Sequence, residues 1–184
     1  ATESNNLAIF GAAKGLAKKG DTRRHIITSK IEHKAILEAC ELLEEDGYKV
    51  TYLTPTKEGI ITSEMVEDAI DEDTFLVSIA QANSVLGAIS DVHAIASVCK
   101  KHQVFFHTDT AQSIGYLKMD YDHSDIDMVS LTAEKVCGPK GVGALYVRRA
   151  SNVPLFAQIY GGGQEKGLRG GTVPTHEEIG RAHV

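Results

Sequence analysis

The feature that most constrains this chain is a regular alternation of two hydrophobic periods. Apolar residues at the spacing of amphipathic helices occur in four segments, at 2–20, 33–47, 63–70 and 90–103. Short apolar or alternating runs typical of strands lie between and after them, at 25–28, 48–53, 75–81, 104–109, 127–133 and 143–149. Strands separated by helices of this length predict βαβ units. We therefore predict an α/β fold, a three-layer sandwich whose mostly parallel sheet lies between helices.

Composition narrows the class of protein. A chain of 184 residues that is 42% hydrophobic is long enough to bury the core of one domain. The net charge of −6 argues against a nucleic-acid partner, and no apolar run reaches the length of a membrane span. The three cysteines have no paired spacing, so we expect no disulfide framework and no metal site. A reducing, cytoplasmic location fits this cysteine content best.

Ligands of parallel sheets bind at the carboxyl ends of the strands, and four candidate residues are predicted to meet there. Asp109 closes an otherwise apolar strand, and Gln112 follows it three residues later. Lys135 comes just after the next strand, before a turn rich in glycine and proline. His33 begins a helix shortly after the first strand. An acid, an amide, an amine and an imidazole are thus expected at one edge of the sheet.

Each of these residues also has a purely structural interpretation. An aspartate at a strand end often forms a turn or caps a helix, and a histidine at a helix start often caps it. A lysine beside a turn is usually a solvated surface charge, and a glutamine alone indicates almost nothing. The combination is more informative, because one cofactor, pyridoxal 5'-phosphate (PLP), requires all four residue types.

PLP needs a lysine that binds it covalently, a carboxylate that keeps its pyridine nitrogen protonated, and donors around its phosphate. Lys135 and Asp109 meet the first two requirements. The start of the first helix can bind the phosphate together with the hydroxyls of Thr2 and Thr132. The order of residues at that helix start also predicts a capping box from Thr2 to Asn5.

Five segments then make the resemblance specific. They are "ATESNNLAI" (1–9), "SKIEHKAILEACELLEEDGYKVTYL" (29–53), "HTDTAQSIG" (107–115), "EKVCGPKGVGALYVRR" (134–149) and "GGGQEKGLRGGT" (161–172). In sequence and order they resemble the signatures of the cysteine desulfurases, which are class V aminotransferase-like, fold-type I PLP enzymes. The resemblance runs over nearly the whole chain and corresponds to about the middle half of a family member, within its large cofactor-binding domain.

The resemblance implies roles around the cofactor ring. Lys135 matches the Schiff-base lysine, and Asp109 matches the partner of the pyridinium nitrogen. Gln112 matches the hydrogen-bond partner of the phenolic oxygen. His33 matches the histidine that stacks on the ring and moves protons. Asn83 falls on the family's asparagine near the ring and the substrate carboxylate.

The resemblance also implies how the phosphate is bound. Ala1, Thr2 and Thr132 fall where the family binds it. Thr172, after the glycine-rich segment, matches a threonine that reaches the phosphate of the neighbouring subunit in a homodimer. Without the resemblance, that glycine-rich segment would indicate only a flexible loop.

The function implied is desulfuration of L-cysteine. The family releases L-alanine and transfers the sulfur to a cysteine on a mobile loop, as a persulfide for an acceptor protein such as an iron–sulfur scaffold. None of Cys40, Cys99 and Cys137 matches that nucleophile. We therefore expect residues 1–177 to be part of a PLP-binding large domain, without the small C-terminal domain and its substrate-binding arginine, and inactive in isolation. Residues 178–184, "EIGRAHV", depart from the family pattern and are expected to be a non-native tail.

Three departures leave alternatives open. Glu134 stands where the family usually has a histidine beside the phosphate, and "NSV" (83–85) replaces the family's "NNE". Cys137 replaces an aromatic residue. One alternative is another class V enzyme, a selenocysteine lyase or an aminotransferase. The other is a non-catalytic paralogue that has kept the fold.

Overall fold

The predicted order of helices and strands is present in a computed structural model, which describes residues 1–118, 120–121 and 123–176. The helices are α1 (Thr2–Lys18), α2 (Lys34–Glu45), α3 (Ser63–Ala69) and α4 (Val92–Lys101). The strands are β1 (His25–Ser29), β2 (Lys49–Leu53), β3 (Thr74–Ser78), β4 (Phe105–Asp109), β5 (Met128–Thr132) and β6 (Gly143–Val147). A short 3₁₀ turn, Ala133–Val136, follows β5. The expected tail at 178–184 lies outside the described residues.

The strands form one six-stranded sheet in the order β2-β1-β3-β4-β5-β6. The first five strands of this order run parallel to one another, and only the pairing of β6 with β5 in this sheet is antiparallel. The chain therefore leaves β1 toward β2 on one side and then continues to β3 on the other. A reversal of this kind opens a crevice at the carboxyl ends of β1 and β3, the strands on either side of it.

Helices cover both faces of the sheet. On one face α1 and α2 enclose a core that includes Ile9, Ile36 and the strand residue Ile26. On the other face α3 and α4 enclose a second core, in which Ile27 takes part. Adjacent residues of β1 thus point to opposite faces, and every residue of that strand is buried. The three-layer sandwich predicted from the sequence is confirmed.

Two glycines let α1 pack unusually close to the segment that follows β6. A Cβ atom at Gly15 would lie 1.4 Å from the backbone oxygen of Pro154, so no larger residue fits without displacement. One turn earlier, the carbonyl of Gly11 accepts a 2.9 Å hydrogen bond from the amide of Phe156. This contact fixes the position of α1, and therefore of its N-terminus, relative to the sheet.

Among the described helices, none combines the length and the apolar character that spanning a bilayer requires.

Candidate active site

Several predicted site residues lie at the carboxyl ends of the adjacent strands β4 and β5. Asp109 is the last residue of β4 and pairs in register with Ser130 of β5. Lys135 lies in the 3₁₀ turn that follows β5 and is exposed. Gln112, in the turn after β4, is also exposed. The predicted placement of these three side chains at one edge of the sheet is therefore observed.

Asp109 is only 8% exposed, and its carboxylate is fixed by hydrogen bonds. Its Oδ2 accepts a 2.8 Å hydrogen bond from Nδ2 of Asn5 on α1, and its Oδ1 accepts one of 2.8 Å from the amide of Ala111. Among the described ion pairs, none involves Asp109. A buried carboxylate of this kind is best matched by a cationic ligand group.

Asn5 is a site residue that the sequence analysis missed, and the predicted capping box at this helix start is wrong. The N-cap of α1 is Ala1, so Thr2 lies inside the helix; the Ala1 side chain cannot accept a hydrogen bond, and Nδ2 of Asn5 donates to Asp109. Oδ1 of Asn5 is buried without a hydrogen-bond partner among the described residues. The sequence signal that could have identified Asn5 is its position, since it is a polar residue on the face of the helix that its apolar residues bury.

The uncapped N-terminus of α1 is a suitable place for a phosphate. The first amides of a 17-residue helix are left without side-chain acceptors, and such amides favour an anion. Gly143, at the start of β6, lets that strand lie close to the start of α1, because a Cβ there would lie 3.3 Å from the backbone nitrogen of Ala1. Thr2 is exposed at this helix start, whereas Thr132, at the end of β5, is 8% exposed.

The turn that carries Lys135 has a defined shape. The amide of Gly138 donates a 2.8 Å hydrogen bond back to the carbonyl of Ala133, and Cys137 adopts a left-handed conformation with φ of 62°. A Cβ at Gly138 would lie 2.9 Å from the Ala133 oxygen, so glycine is required there. Glu134, next to the lysine, is exposed and solvated.

His33 and Asn83 flank the crevice between β1 and β3, and both side chains also stabilise the backbone. His33 is the N-cap of α2, and its Nδ1 accepts a 3.1 Å hydrogen bond from the amide of Ala35. The neutral ring therefore carries its proton on Nε2. Nδ2 of Asn83 donates to the carbonyl of Ile31 at 2.7 Å, while its Oδ1 accepts from the amide of Leu86 at 2.8 Å.

The glycine-rich segment is folded rather than extended. The amide of Gly170 donates a 2.9 Å hydrogen bond to the carbonyl of Ile159, and Arg169 forms an exposed 2.8 Å ion pair with Glu3 in the first turn of α1. Thr172, just after this segment, is exposed. The ion pair of Arg169 thus links the segment that precedes Thr172 to the start of α1, where Ala1 and Thr2 lie.

A buried histidine lies beneath the site. His107 of β4 contacts Oγ of Ser78 through Nδ1 and Oγ of Ser130 through Nε2, each at 2.9 Å. Burial lowers the pKa of His107 to about 4, although the nearby charge of Asp109 acts in the opposite direction. The imidazole is therefore neutral near pH 7 and joins three neighbouring strands directly below the carboxyl edge.

A surface pocket of about 540 Å³ lies at the opposite end of the sheet and is not the candidate site. Its lining includes Arg23, Asp71 and Thr74, near the amino ends of β1 and β3. Among the described residues, no group of three or more His, Cys, Asp or Glu side chains is placed to hold a metal ion.

Comparisons with known proteins agree with this geometry. The sequence profile of the aminotransferase class-V family matches residues 1–180. A cysteine desulfurase IscS from Tolumonas auensis is 52% identical over 180 residues, which are 98% of this chain and 44% of that relative. The structure of SspA in complex with cysteine superposes with a TM-score of 0.91 at 50% identity, covering 97% of this chain and 51% of that one. A NifS-like protein has a TM-score of 0.92 at 40% identity, covering 99% and 49%.

The chain therefore belongs to the aminotransferase class-V family. Its similarity to cysteine desulfurases confirms the resemblance found in the sequence. Members of this family are PLP enzymes, so the predicted cofactor is confirmed as well. The chain spans about half the length of the relatives that it matches.

The residues present fit PLP. The uncapped start of α1 suits its phosphate, and the buried, hydrogen-bonded Asp109 suits a protonated pyridine nitrogen. Lys135 is exposed on the turn that follows the neighbouring strand, where it is free to reach a ligand. The fit to PLP follows from the donor and acceptor groups at the carboxyl edge of the sheet.

Proposed function

We propose that this chain forms the cofactor-binding part of a PLP-dependent cysteine desulfurase. The enzyme converts L-cysteine to L-alanine and leaves the sulfur as a persulfide on an enzyme cysteine. The observation that carries the proposal is the buried Asp109, fixed by Asn5 and by a backbone amide, beside the strand end that presents Lys135. The identity of about half of the aligned residues to those of cysteine desulfurases supports the choice of reaction.

Each residue of the edge has a distinct task in this proposal. Bound PLP supplies an electron sink for the bond that breaks at the substrate α-carbon. Lys135 binds the cofactor covalently and, when released, is placed to accept the α-proton. Asp109 holds the ring nitrogen in its protonated form, and Gln112 hydrogen-bonds the phenolic oxygen. His33 stacks on the ring, with Nε2–H available because Nδ1 is occupied by the Ala35 amide.

Phosphate binding is shared by the start of α1 and nearby hydroxyls. We assign Ala1, Thr2 and Thr132 to the phosphate of the same subunit, and Asn83 to the region of the substrate carboxylate. We assign Thr172 to the phosphate of the partner subunit in a two-fold homodimer. The exposure of Thr172 supports this assignment, since a residue that serves a neighbouring subunit must lie at the surface.

The cysteine nucleophile of the proposed reaction is not among the cysteines of the described residues. Cys40 and Cys99 are buried in the two cores, and burial raises the pKa of the Cys40 thiol to about 12. Cys137 is exposed, but it lies in the turn of Lys135 itself. We therefore propose that a loop cysteine outside residues 1–177 accepts the sulfur and passes it to an acceptor protein, such as an iron–sulfur scaffold. Unpaired cysteines support a cytoplasmic location.

A second candidate function is motivated by the departures at Glu134, Ser84 and Val85. A different class V reaction, selenocysteine lysis or transamination, would use the same PLP-binding residues with another substrate rim. Val85 is 87% exposed and apolar where cysteine desulfurases have a glutamate. Assaying L-cysteine against L-selenocysteine and an amino-group acceptor, in protein of the full length of its relatives, separates these reactions by product: alanine with persulfide, alanine with selenide, or a keto acid.

Covalent trapping tests the cofactor assignment. Borohydride reduction of the PLP-loaded protein should fix one pyridoxyl group on Lys135. Lys140, which is in the same turn and is also exposed, is the matched control. Lys135→Arg should abolish both the visible absorbance band and the trapped adduct, whereas Lys140→Arg should keep both. Mapping of the adduct to Lys140 would contradict the assignment, and absence of any band would favour a non-catalytic paralogue.

A further inference from the structure

Glu32 is a buried acid at the carboxyl edge of the sheet to which the proposed reaction gives no role. It lies between β1 and α2, directly before His33, and is 8% exposed. Its Oε1 accepts a 2.6 Å hydrogen bond from Oγ of Ser29, and its Oε2 accepts one of 3.0 Å from the amide of Ala80. Among the described residues it has no basic partner. A buried carboxyl held only by neutral donors is costly, so its location calls for a specific task.

The two hydrogen bonds of Glu32 join the two sides of the crevice. Ser29 ends β1, whereas Ala80 lies on the loop that follows β3. The same two loops are joined a second time, by the 2.7 Å hydrogen bond from Nδ2 of Asn83 to the carbonyl of Ile31. The connection lies where the strand order reverses, which is where open α/β sheets bind their ligands.

The residues on either side of this connection are the two site residues of the crevice. His33 follows Glu32 immediately, and Asn83 lies three residues after Ala80. A void of about 10 Å³ beside Glu32, lined also by Ser29, Ala80 and Asn83, has the size of a single water molecule. Substrate and cofactor therefore cannot reach the carboxyl, and any effect of Glu32 on them is transmitted through its neighbours.

We propose that Glu32 is a positioning residue that holds His33 and Asn83 in register across the crevice, a role that rests on the proposed function of this edge. Its carboxyl fixes the loop before His33, while the Ala35 amide fixes the imidazole after it. The imidazole is thereby confined to one tautomer and one orientation. Burial raises the pKa of Glu32 to about 7, with Asp109 adding to the effect, and the Glu32 charge in turn raises the pKa of the Cys40 thiol on α2.

A simpler alternative is that Glu32 only closes its turn and contributes to stability. The experiment therefore compares variants by the state of His33 as well as by unfolding. Glu32→Ala removes both bonds. Glu32→Gln keeps them, since its amide oxygen accepts from Ala80 and its NH2 group donates to Ser29. Glu38→Gln, on the exposed face of α2, is the matched control for the loss of a charge.

Two measurements are made on the protein. In the cofactor-free protein, 15N NMR of the assigned His33 ring reports whether Nδ1 remains a hydrogen-bond acceptor. In the PLP-loaded protein, the induced circular dichroism of the visible band reports the orientation of the ring, and titration gives its dissociation constant. We expect Glu32→Ala to mix the His33 tautomers, reduce the dichroism and weaken PLP binding about tenfold. Glu32→Gln and Glu38→Gln should retain the parent signals.

The proposal is overturned if Glu32→Ala lowers the unfolding midpoint but leaves the His33 spectrum and the dichroism of the folded protein unchanged. If Glu32→Ala does not fold, Ser29→Ala decides: it frees Oε1 and must shift the His33 spectrum in the same direction, and an unshifted spectrum overturns the proposal. The NMR measurement needs no cofactor. A protein that fails to bind PLP would therefore refute the proposed function while Glu32 is still tested.

Discussion

Glu32→Gln should stabilise the protein by an amount that grows with pH. Burial is the main reason that the pKa of this carboxyl rises from 4.5 to about 7 in the folded protein. Between these values the folded state keeps the Glu32 proton that the unfolded state has lost. The free energy of unfolding therefore falls as the pH rises through this window. With ~1.4 kcal/mol for each pKa unit, the full cost above the window is roughly 3 kcal/mol. Glutamine is neutral at every pH and avoids that cost.

The assay is urea unfolding of the parent protein and the variant at pH 4.5 and pH 8, followed by far-ultraviolet circular dichroism. We expect the two proteins to be nearly equal in stability at about pH 4.5 and the variant to be more stable by roughly 3 kcal/mol at about pH 8. His107 has an opposite pH dependence, because its lowered pKa destabilises the folded state as the pH falls below 6.5. It is present in both proteins, so its contribution cancels in the difference.

Glu38→Gln serves as the control for the removal of a carboxyl charge from an exposed position on α2. A Glu32→Gln difference that is the same at the two pH values would refute the predicted cost of the buried charge. It would mean that the Glu32 carboxyl titrates normally, either because water reaches it or because the surrounding hydrogen bonds stabilise its charge as well as water does.

Two further pairs of substitutions test how α1 is held. Gly15→Ala would gain ~1 kcal/mol on an exposed helix, but its Cβ would lie only 1.4 Å from the facing carbonyl oxygen of Pro154, which should make the substitution destabilising by about 2–3 kcal/mol in urea unfolding. Gly11→Ala, whose nearest contact would be 3.1 Å, should cost less, and equal costs would contradict this account. Asn5→Leu removes a donor from the buried Asp109 and should destabilise by ~1–3 kcal/mol, more than Asn6→Leu, whose side chain bonds only at the surface. Equal losses for the two leucine variants would argue against the Asn5 contact.

Much of the fold could be predicted from the sequence because its hydrophobic periods are consistent along the chain. Each helix buries one apolar face, and strands such as β1 are covered on both sides, which makes them continuous apolar runs. The position of the site at the carboxyl edge could be predicted from the same pattern. Asp109 ends one strand and Lys135 follows the next, and consecutive strands of a parallel sheet have their carboxyl ends at the same edge. Periodicity alone did not give the direction of β6, because it does not encode direction; the antiparallel pairing follows from the connection at 133–142, which holds no crossover helix.

The residues beneath the edge could not be predicted in this way. Asn5, Glu32 and His107 each have their role through a partner that is distant in sequence, as in the Asn5–Asp109 bond across 104 residues. Pattern analysis treats such a residue as a polar interruption of an apolar segment. The capping box failed for a local reason: the helix begins one residue earlier than the motif implies, so the carbonyl of Ala1 accepts the amide of Asn5 in place of the Thr2 side chain.

The structural and the functional interpretations of a site residue turned out not to exclude each other. His33 caps α2 through Nδ1, as its structural interpretation predicted, and that bond is what leaves Nε2–H for the ligand side. Asp109 likewise accepts a turn amide on Oδ1, and each carboxylate oxygen retains a second lone pair for a cationic group. One atom of each side chain is fixed by the backbone, which removes the rotational freedom that a ligand would otherwise have to restrict. In His33 and in Asp109, the cap therefore leaves one atom available for the proposed ligand contact, so a capping role is no argument against the proposed binding role.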